Sequence, residues 1–227
     1  MQREHAIERL HRARLYLVLE AGAAARVVEP ALRGGVDMVQ VRDKEASDAE
    51  VVDAARALRP LCDAHGALLV VNDRPDLALA AGADAVHVGQ GDLAVERLRA
   101  EAGERLAIGV STHAAEQGVA AEDSDADYFV VGPVHATPTK PGRPAVGLEL
   151  VRATAAREPA KPWFAIGGID AGNAAAVVAA GAPRVVVVRA IRDATDPEAA
   201  ARELRSVVEA GARVGEAIAE VPVGQAF

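Results

Sequence analysis

The sequence predicts a single-domain (β/α)8 barrel, the TIM-barrel architecture, and three observations carry that prediction. Short runs rich in Val, Leu and Ile recur roughly every 20 to 30 residues, each followed by a segment of helical periodicity. Eight such pairs fit between the first dozen residues and the C-terminus, which is the count of this barrel. The chain is 51% apolar but only 3% aromatic, so its core must be aliphatic, as in parallel strands covered by helices on the outside. No linker or shift of composition divides residues 1–227, so one domain is expected, with a short helix at 1–12 and a frayed tail at 219–227. A doubly wound open sheet is the alternative, weakened by the lack of a Gly-x-Gly-x-x-Gly turn after the first strand.

Taken in order, residues 2–12 form an amphipathic helix with Ile7 and Leu10 facing inward, ahead of strand one at 14–19. A helix over 23–32 ends at Gly34-Gly35, and strand two spans 38–43. Ser47 and Glu50 have the spacing of a capping box, so the next helix runs from there to about His65. Strand three spans 67–73, and Pro75 can open a short helix that Gly82 closes. Strand four lies at 85–90 with a helix at 93–102. Strand five lies at 106–110, ends in Ser111-Thr112, and is followed by a helix at 114–122. Strand six is 128–131, aromatic and β-branched, stopped by Gly132-Pro133. A helix resumes at 148–157, strand seven spans 163–168, a helix 173–180 and strand eight 184–191. Asp196-Pro197 starts the last helix, which runs to about residue 218.

The formal charge of −8 argues against nucleic acid or an anionic membrane as the main partner, so any site for an anion must concentrate its cations locally. Cys62 is the only cysteine and cannot form an internal disulfide. It falls in a helical pattern beside Leu58 and Leu61 as an inert buried thiol. That usage, the charged start and the lack of an apolar run of about 18 residues all point to the cytoplasm.

Polar residues gather at the C-terminal ends of the strands, the face that carries catalysis in such barrels. After strand two, Gln40 and Arg42 share one side and can point into the barrel mouth, with Lys44 beyond them. They are equally a frayed polar strand end. An inward arginine there would need an anion. Strand three ends in Asn72-Asp73, and the turn after strand four carries Asp92. Two carboxylates on adjacent strand ends are what Mg2+ usually takes from a protein, although Asp73 also fits a surface turn and Asp92 a helix N-cap. His87 reads as a satisfied core histidine rather than a metal ligand. Ser111-Thr112 adds hydroxyls to the same ring. Gly167-Gly168 after strand seven and Val188-Arg189 after strand eight match the phosphate site common in these barrels.

The longest connection, residues 132–147, holds Thr137-Pro-Thr139-Lys140 among prolines. Loops of that length tend to be functional or disordered, and hydroxyls beside an ammonium suit a phosphate. Two anion sites follow: one at strands seven and eight, the other around Arg42, Lys44, Lys140 and the metal.

Seven motifs in register resemble the thiamine phosphate synthase family. They are Gln40-Val-Arg-Asp-Lys44, Val71-Asn-Asp-Arg-Pro-Asp-Leu-Ala78, Ala85-Val-His-Val-Gly-Gln-Gly-Asp-Leu93, Gly109-Val-Ser-Thr-His113, Gly132-Pro-Val-His-Ala-Thr-Pro-Thr-Lys140, Ala165-Ile-Gly-Gly-Ile169 and Val187-Val-Arg-Ala-Ile191. The resemblance implies a Mg2+-dependent transferase that joins hydroxymethylpyrimidine diphosphate to thiazole phosphate, giving thiamine monophosphate and pyrophosphate. It implies Asp73 and Asp92 as metal ligands. Gln40, Arg42, Lys44, Asn72, Ser111 and Lys140 are implied as contacts of the pyrimidine diphosphate, with Arg42, Lys44, Lys140 and Ser111 catalytic. Thr137, Thr139, Gly167, Gly168, Val188 and Arg189 are implied for the thiazole phosphate, although members of the family carry serine where Arg189 stands. His135 receives no role. Displacement at the pyrimidine methylene by a dissociative path needs no protein nucleophile, and none is visible. Closure of the 135–146 loop would keep water from the cation.

The rival within the fold is the thiazole tautomerase, which characteristically has histidine where this chain has Pro133. A non-catalytic barrel that binds thiamine phosphates is the rival outside enzymology. The long last helix leaves room for a homodimer.

Overall fold

The computed structural model describes residues 2–137 and 144–219. Its eight strands are β1 Leu15–Leu19, β2 Met38–Val41, β3 Leu68–Asn72, β4 Ala85–Val88, β5 Ala107–Thr112, β6 Tyr128–Val131, β7 Trp163–Ile166 and β8 Val185–Val187. All neighbours are parallel, and β8 returns to β1 with Leu15 opposite Val185, so the sheet is a closed barrel. Closure removes the open-sheet alternative. The helices are α1 Gln2–Arg12, α2 Ala24–Arg33, α3 Asp48–His65, α4 Pro75–Ala81, α5 Val95–Ala102, α6 Ala115–Asp123, α7 Gly147–Ala155, α8 Ala174–Ala179, α9 Arg189–Arg192 and α10 Pro197–Ala219.

Local signals account for most boundaries. Ser47 caps α3 with the full capping box, Glu50 Oε2 accepting from Ser47 N at 2.8 Å, and Pro75 opens α4. The predicted strand eight is wrong beyond Val187. The chain turns at Val188 (φ −123°, ψ −87°), and Arg192 N bonds Val188 O at 3.0 Å to form α9. An unbroken apolar run has no period with which to mark that turn. Strands β2, β4 and β7 also end earlier than expected, at Val41, Val88 and Ile166, whereas β5 continues through Thr112, whose Oγ1 donates to Val130 O at 3.2 Å. Helix α5 begins at Val95, two residues late.

Strand alternation sorts the core into two parts. Leu17, Val39, Leu69, Val86, Ile108, Phe129, Ala165 and Val187 point outward and pack beneath the helices. Tyr16, Met38, Leu68, Tyr128 and Phe164 point inward and fill the barrel. Helix α1 closes the N-terminal end with Ala6 and Leu10; Ile7, expected inward, is only half-buried. Burying Leu10 is worth about 1.5–3 kcal/mol, which is what keeps this helix on the barrel. With that end stoppered, the cavity opens at the C-terminal ends of the strands.

Candidate active site

Inward positions of the strands above the aromatic layer carry Gln40, Asn72, His87 and Ser111, on β2, β3, β4 and β5 in turn. They form one wall of a cavity of about 370 Å³, a volume suited to a small organic ligand. Arg42 joins them just beyond β2, its backbone N–H held by Leu19 O at 2.9 Å. The opposite wall comes from Gly132, Thr137, Gly167, Gly168, Val188 and Arg189. Residues expected at two substrate subsites therefore face one cavity. Thr139 and Lys140 lie outside the described residues.

Strand seven's turn shows why glycines stand there. Val134 N donates to Ile166 O at 2.7 Å and His135 N to Gly167 O at 3.0 Å, so the start of the long connection runs against the turn. A Cβ on Gly167, whose φ is +112°, would stand 2.5 Å from Pro133 Cα. Asn173 Nδ2 then fixes the turn by donating to Gly168 O at 2.8 Å. His135 packs under Gly168, its Nε2 buried without a hydrogen-bond partner among the described residues.

Asp73, Asp92 and Lys44 do not line the cavity, although Asp73 directly follows its Asn72 and lies near its Arg42. Asp73 follows β3 in a left-handed conformation (φ 60°), its N–H bonded to His87 O at 2.8 Å, which places it beside β4. Burial first, then the hydrogen-bonding and charge influence of the neighbouring Asp92 carboxyl, raise the pKa of Asp73, while Lys44 and Arg42 pull it back. The N-cap reading of Asp92 fails: its Oδ2 accepts from Gly89 N at 2.7 Å within the turn, and Ala94 precedes α5. Two carboxylates held together with cations nearby are a hard oxygen pair of the kind Mg2+ accepts. Among the described residues no group of three or more His, Cys, Asp or Glu side chains could hold a metal, so an ion here would take its other ligands from substrate and water. Arg42 is half-buried and Lys44 exposed, and among the described residues neither is in an ion pair.

Several cavity residues escaped the sequence reading, Tyr16, His113, Asp170 and Asp193 among them. His113 continues the inward alternation of Ser111, and its Nδ1 bonds Gly132 O, tying β5 to the turn after β6; the alternation was the available signal. Asp170 accepts from Gly172 N at 2.9 Å in the turn after β7. Asp193, at the end of α9, is held by Arg192 at 2.7 Å, which lowers its pKa; it was hidden by the misreading of strand eight. His87 is a core histidine with partners, as expected: Nε2 lies 2.9 Å from Ser111 Oγ and Nδ1 3.2 Å from Tyr128 Oη. Cys62 is buried, and burial pushes its thiol up to about 12, far from nucleophilic.

Comparison with known proteins identifies the family and the fold. The sequence profile of the thiamine monophosphate synthase family covers residues 15–191. A thiamine-phosphate synthase of Mycolicibacterium smegmatis is 53% identical over 220 residues, 91% of this chain and 97% of that protein. One of Thermobifida fusca is 53% identical over 210 residues, 90% of this chain and 96% of that protein. Among solved structures, a thiamine phosphate pyrophosphorylase from Pyrococcus furiosus superposes with a TM-score of 0.79 at 33% identity, covering 89% of this chain and 98% of that one. The chain belongs to the thiamine monophosphate synthase family, and the reaction it catalyses is the condensation of a pyrimidine diphosphate with thiazole phosphate to thiamine monophosphate.

Proposed function

We propose that this condensation takes place in the cavity between β2 and β8 by dissociative displacement. The observation that carries the reading is that the wall around Gln40, Arg42, Asn72 and Ser111 meets the wall around Thr137, Gly167, Gly168, Val188 and Arg189 in one cavity, with Asp73 and Asp92 beside one another near Arg42. In this reading Gln40, Asn72 and Ser111 orient the aminopyrimidine. Arg42, Lys44 and Lys140 neutralise the diphosphate as it leaves. Thr137, Thr139, the Gly167-Gly168 turn and the Val188-Arg189 segment hold the thiazole phosphate, so that the thiazole nitrogen faces the methylene carbon. Positioning and charge neutralisation then supply the catalysis, since the C–O bond breaks to a cation that the amino-substituted ring itself stabilises. Asp73 and Asp92 would hold Mg2+, which supplies further neutralisation of the diphosphate when bound. The mostly apolar inner surface, with Val18, Val130 and Ile166, limits water that would trap the cation as alcohol.

Pyrophosphate release and product mass, followed with both substrates in the presence and absence of Mg2+, test the reading. Coupled product only with metal supports it; equal turnover in a chelator removes the Asp73–Asp92 metal site. No helix of the described residues is long and apolar enough to cross a membrane. A cytoplasmic location and a homodimer complete the proposal, the latter open to light scattering.

A further inference from the structure

Inside the barrel, five side chains from five strands form a continuous line of polar contacts. Gln40 Nε2 donates to Tyr16 Oη; Tyr16 Oη lies 3.3 Å from Tyr128 Oη; Tyr128 Oη lies 3.2 Å from His87 Nδ1; and His87 Nε2 lies 2.9 Å from Ser111 Oγ. Gln40 and Ser111, the two ends, line the cavity, as do Tyr16 and His87, whereas Tyr128 lies beneath it, fully buried. The register explains the reach. His87, Gly109 and Tyr128 are consecutive partners across β4, β5 and β6. A Cβ on Gly109 would stand 2.1 Å from Tyr128 Cζ, so only the missing side chain lets the tyrosine ring cross β5 to reach His87. Phe164 wedges both tyrosines edge-on, at 5.6 and 5.9 Å between centroids.

We propose that Tyr16, Tyr128 and His87 are a directional hydrogen-bond relay that couples Gln40 to Ser111, and that all three are positioning residues for the reaction. With Gln40 Nε2 as donor, Tyr16 Oη accepts and its proton goes to Tyr128. Tyr128 then donates to His87 Nδ1, which puts the ring proton on Nε2, facing Ser111 Oγ. Ser111 accepts that proton's bond, and its own hydroxyl hydrogen is left to point into the cavity. The same direction leaves Gln40 Oε1 as an acceptor at the cavity. The relay therefore presents an acceptor on β2 and a donor on β5, a complementary pair for a heteroaromatic ring that carries an amino group beside a ring nitrogen. Burial holds both tyrosines far above their usual range, so each stays protonated and able to donate a hydrogen bond. Chains of this kind polarise one another, so loss of one hydroxyl is felt at both ends.

The role assigned to Ser111 rests on the proposed function; the direction of the relay does not. Nitrogen-15 NMR of histidine-labelled protein, with His87→Asn to assign the ring among six histidines, reads the direction without substrate. The wild type should show the proton on Nε2, and Tyr128→Phe should shift it toward Nδ1. A proton on Nδ1 in the wild type, or a tautomer indifferent to Tyr128→Phe, overturns the relay. In turnover, Tyr128→Phe should lower kcat about tenfold with little change in KM. Adding Ser111→Ala should cost no more than Ser111→Ala alone, whereas independent, multiplying losses mean that Tyr128 merely supports the fold. If Ser111→Ala itself turns over normally while the tautomer behaves as expected, the relay stands and the substrate role of Ser111 falls. Should Tyr128→Phe be too unstable to purify, Tyr16→Phe removes the hydroxyl one link away and the same readings decide.

Discussion

At the N-terminal end of the barrel, Asp37, Asp84 and Asp127 each stand one residue before an even-numbered strand, and each Oδ2 accepts the backbone N–H of the preceding odd strand: Leu15 at 3.0 Å, Leu69 at 2.8 Å and Ile108 at 2.8 Å. Each also pairs with an arginine from an outer helix, Arg205 at 2.5 Å, Arg59 at 2.7 Å and Arg99 at 2.6 Å. At the C-terminal end the pattern is reversed. Asp73 and Asp92 lie beside one another, and Arg42 and Lys44 stand near Asp73 with no ion pair among the described residues. The first end spends its charges on joining strand to strand to helix. The second leaves them uncompensated, as a site does when its missing counter-charges come with the ligand.

The sharpest way to break this comparison is Asp73→Asn. Asparagine accepts the left-handed backbone and keeps the size, so only the charge is lost. Turnover is expected to fall by about 10²- to 10³-fold, the scale of losing one preorganised electrostatic group. Stability should move the other way. A carboxyl whose folded pKa is raised contributes its stability at low pH and loses it as pH rises through the folded value, so at neutral pH and without metal the substitution should leave the melting temperature equal or higher. A fall in melting temperature would mean that Asp73 is there for the fold.

The opposite expectation holds below. The Asp127 side chain is 3% exposed and answers both Arg99 and Arg3. Asp127→Asn should cost about 3 kcal/mol in denaturant unfolding because it strands a buried guanidinium, while kcat of the folded protein is unchanged. Asp84 and Asp37 side chains are 20% and 25% exposed, so solvent screens their pairs and about 1–2 kcal/mol each is expected. Equal losses at all three would show that the backbone bonds, not the ion pairs, carry the clip.

How far each end could be read from sequence differs for the same reason. Gln40, Arg42, Asn72, Asp73 and Ser111 announce themselves because a polar side chain interrupts an apolar strand just before its turn, and each strand does so alone. The aspartate clips and the Tyr16–Tyr128–His87 line depend on which strands become neighbours and on what crosses the closed barrel, and no local pattern records that. Strand eight shows the limit of periodicity: four valines followed by Arg189-Ala-Ile191 contain no signal at the residue where strand becomes helix. Leu10 was legible as an inward residue of α1, but that it stoppers the barrel followed only from closure.

The fourth corner of the N-terminal end offers the smallest test. Arg184 stands one residue before β8, where the other three even strands have aspartate. Its Nη2 donates to His11 O at 2.9 Å and its guanidinium sits 6.0 Å from the Phe164 ring, but its Nε is buried without a partner among the described residues. Burial, and then repulsion from Arg14, push the guanidinium down to about 10, so the charge is held at a cost. One hydrogen bond and one ring contact return about 1–2 kcal/mol against it. Arg184→Met keeps the apolar stem, removes the uncompensated charge and should raise stability by about 0.5–1 kcal/mol with kcat unchanged, read as a higher urea midpoint at constant slope. A lower midpoint would mean that the bond to His11 outweighs the burial of the charge, and that Arg184 anchors α1 as the three aspartates anchor their strands.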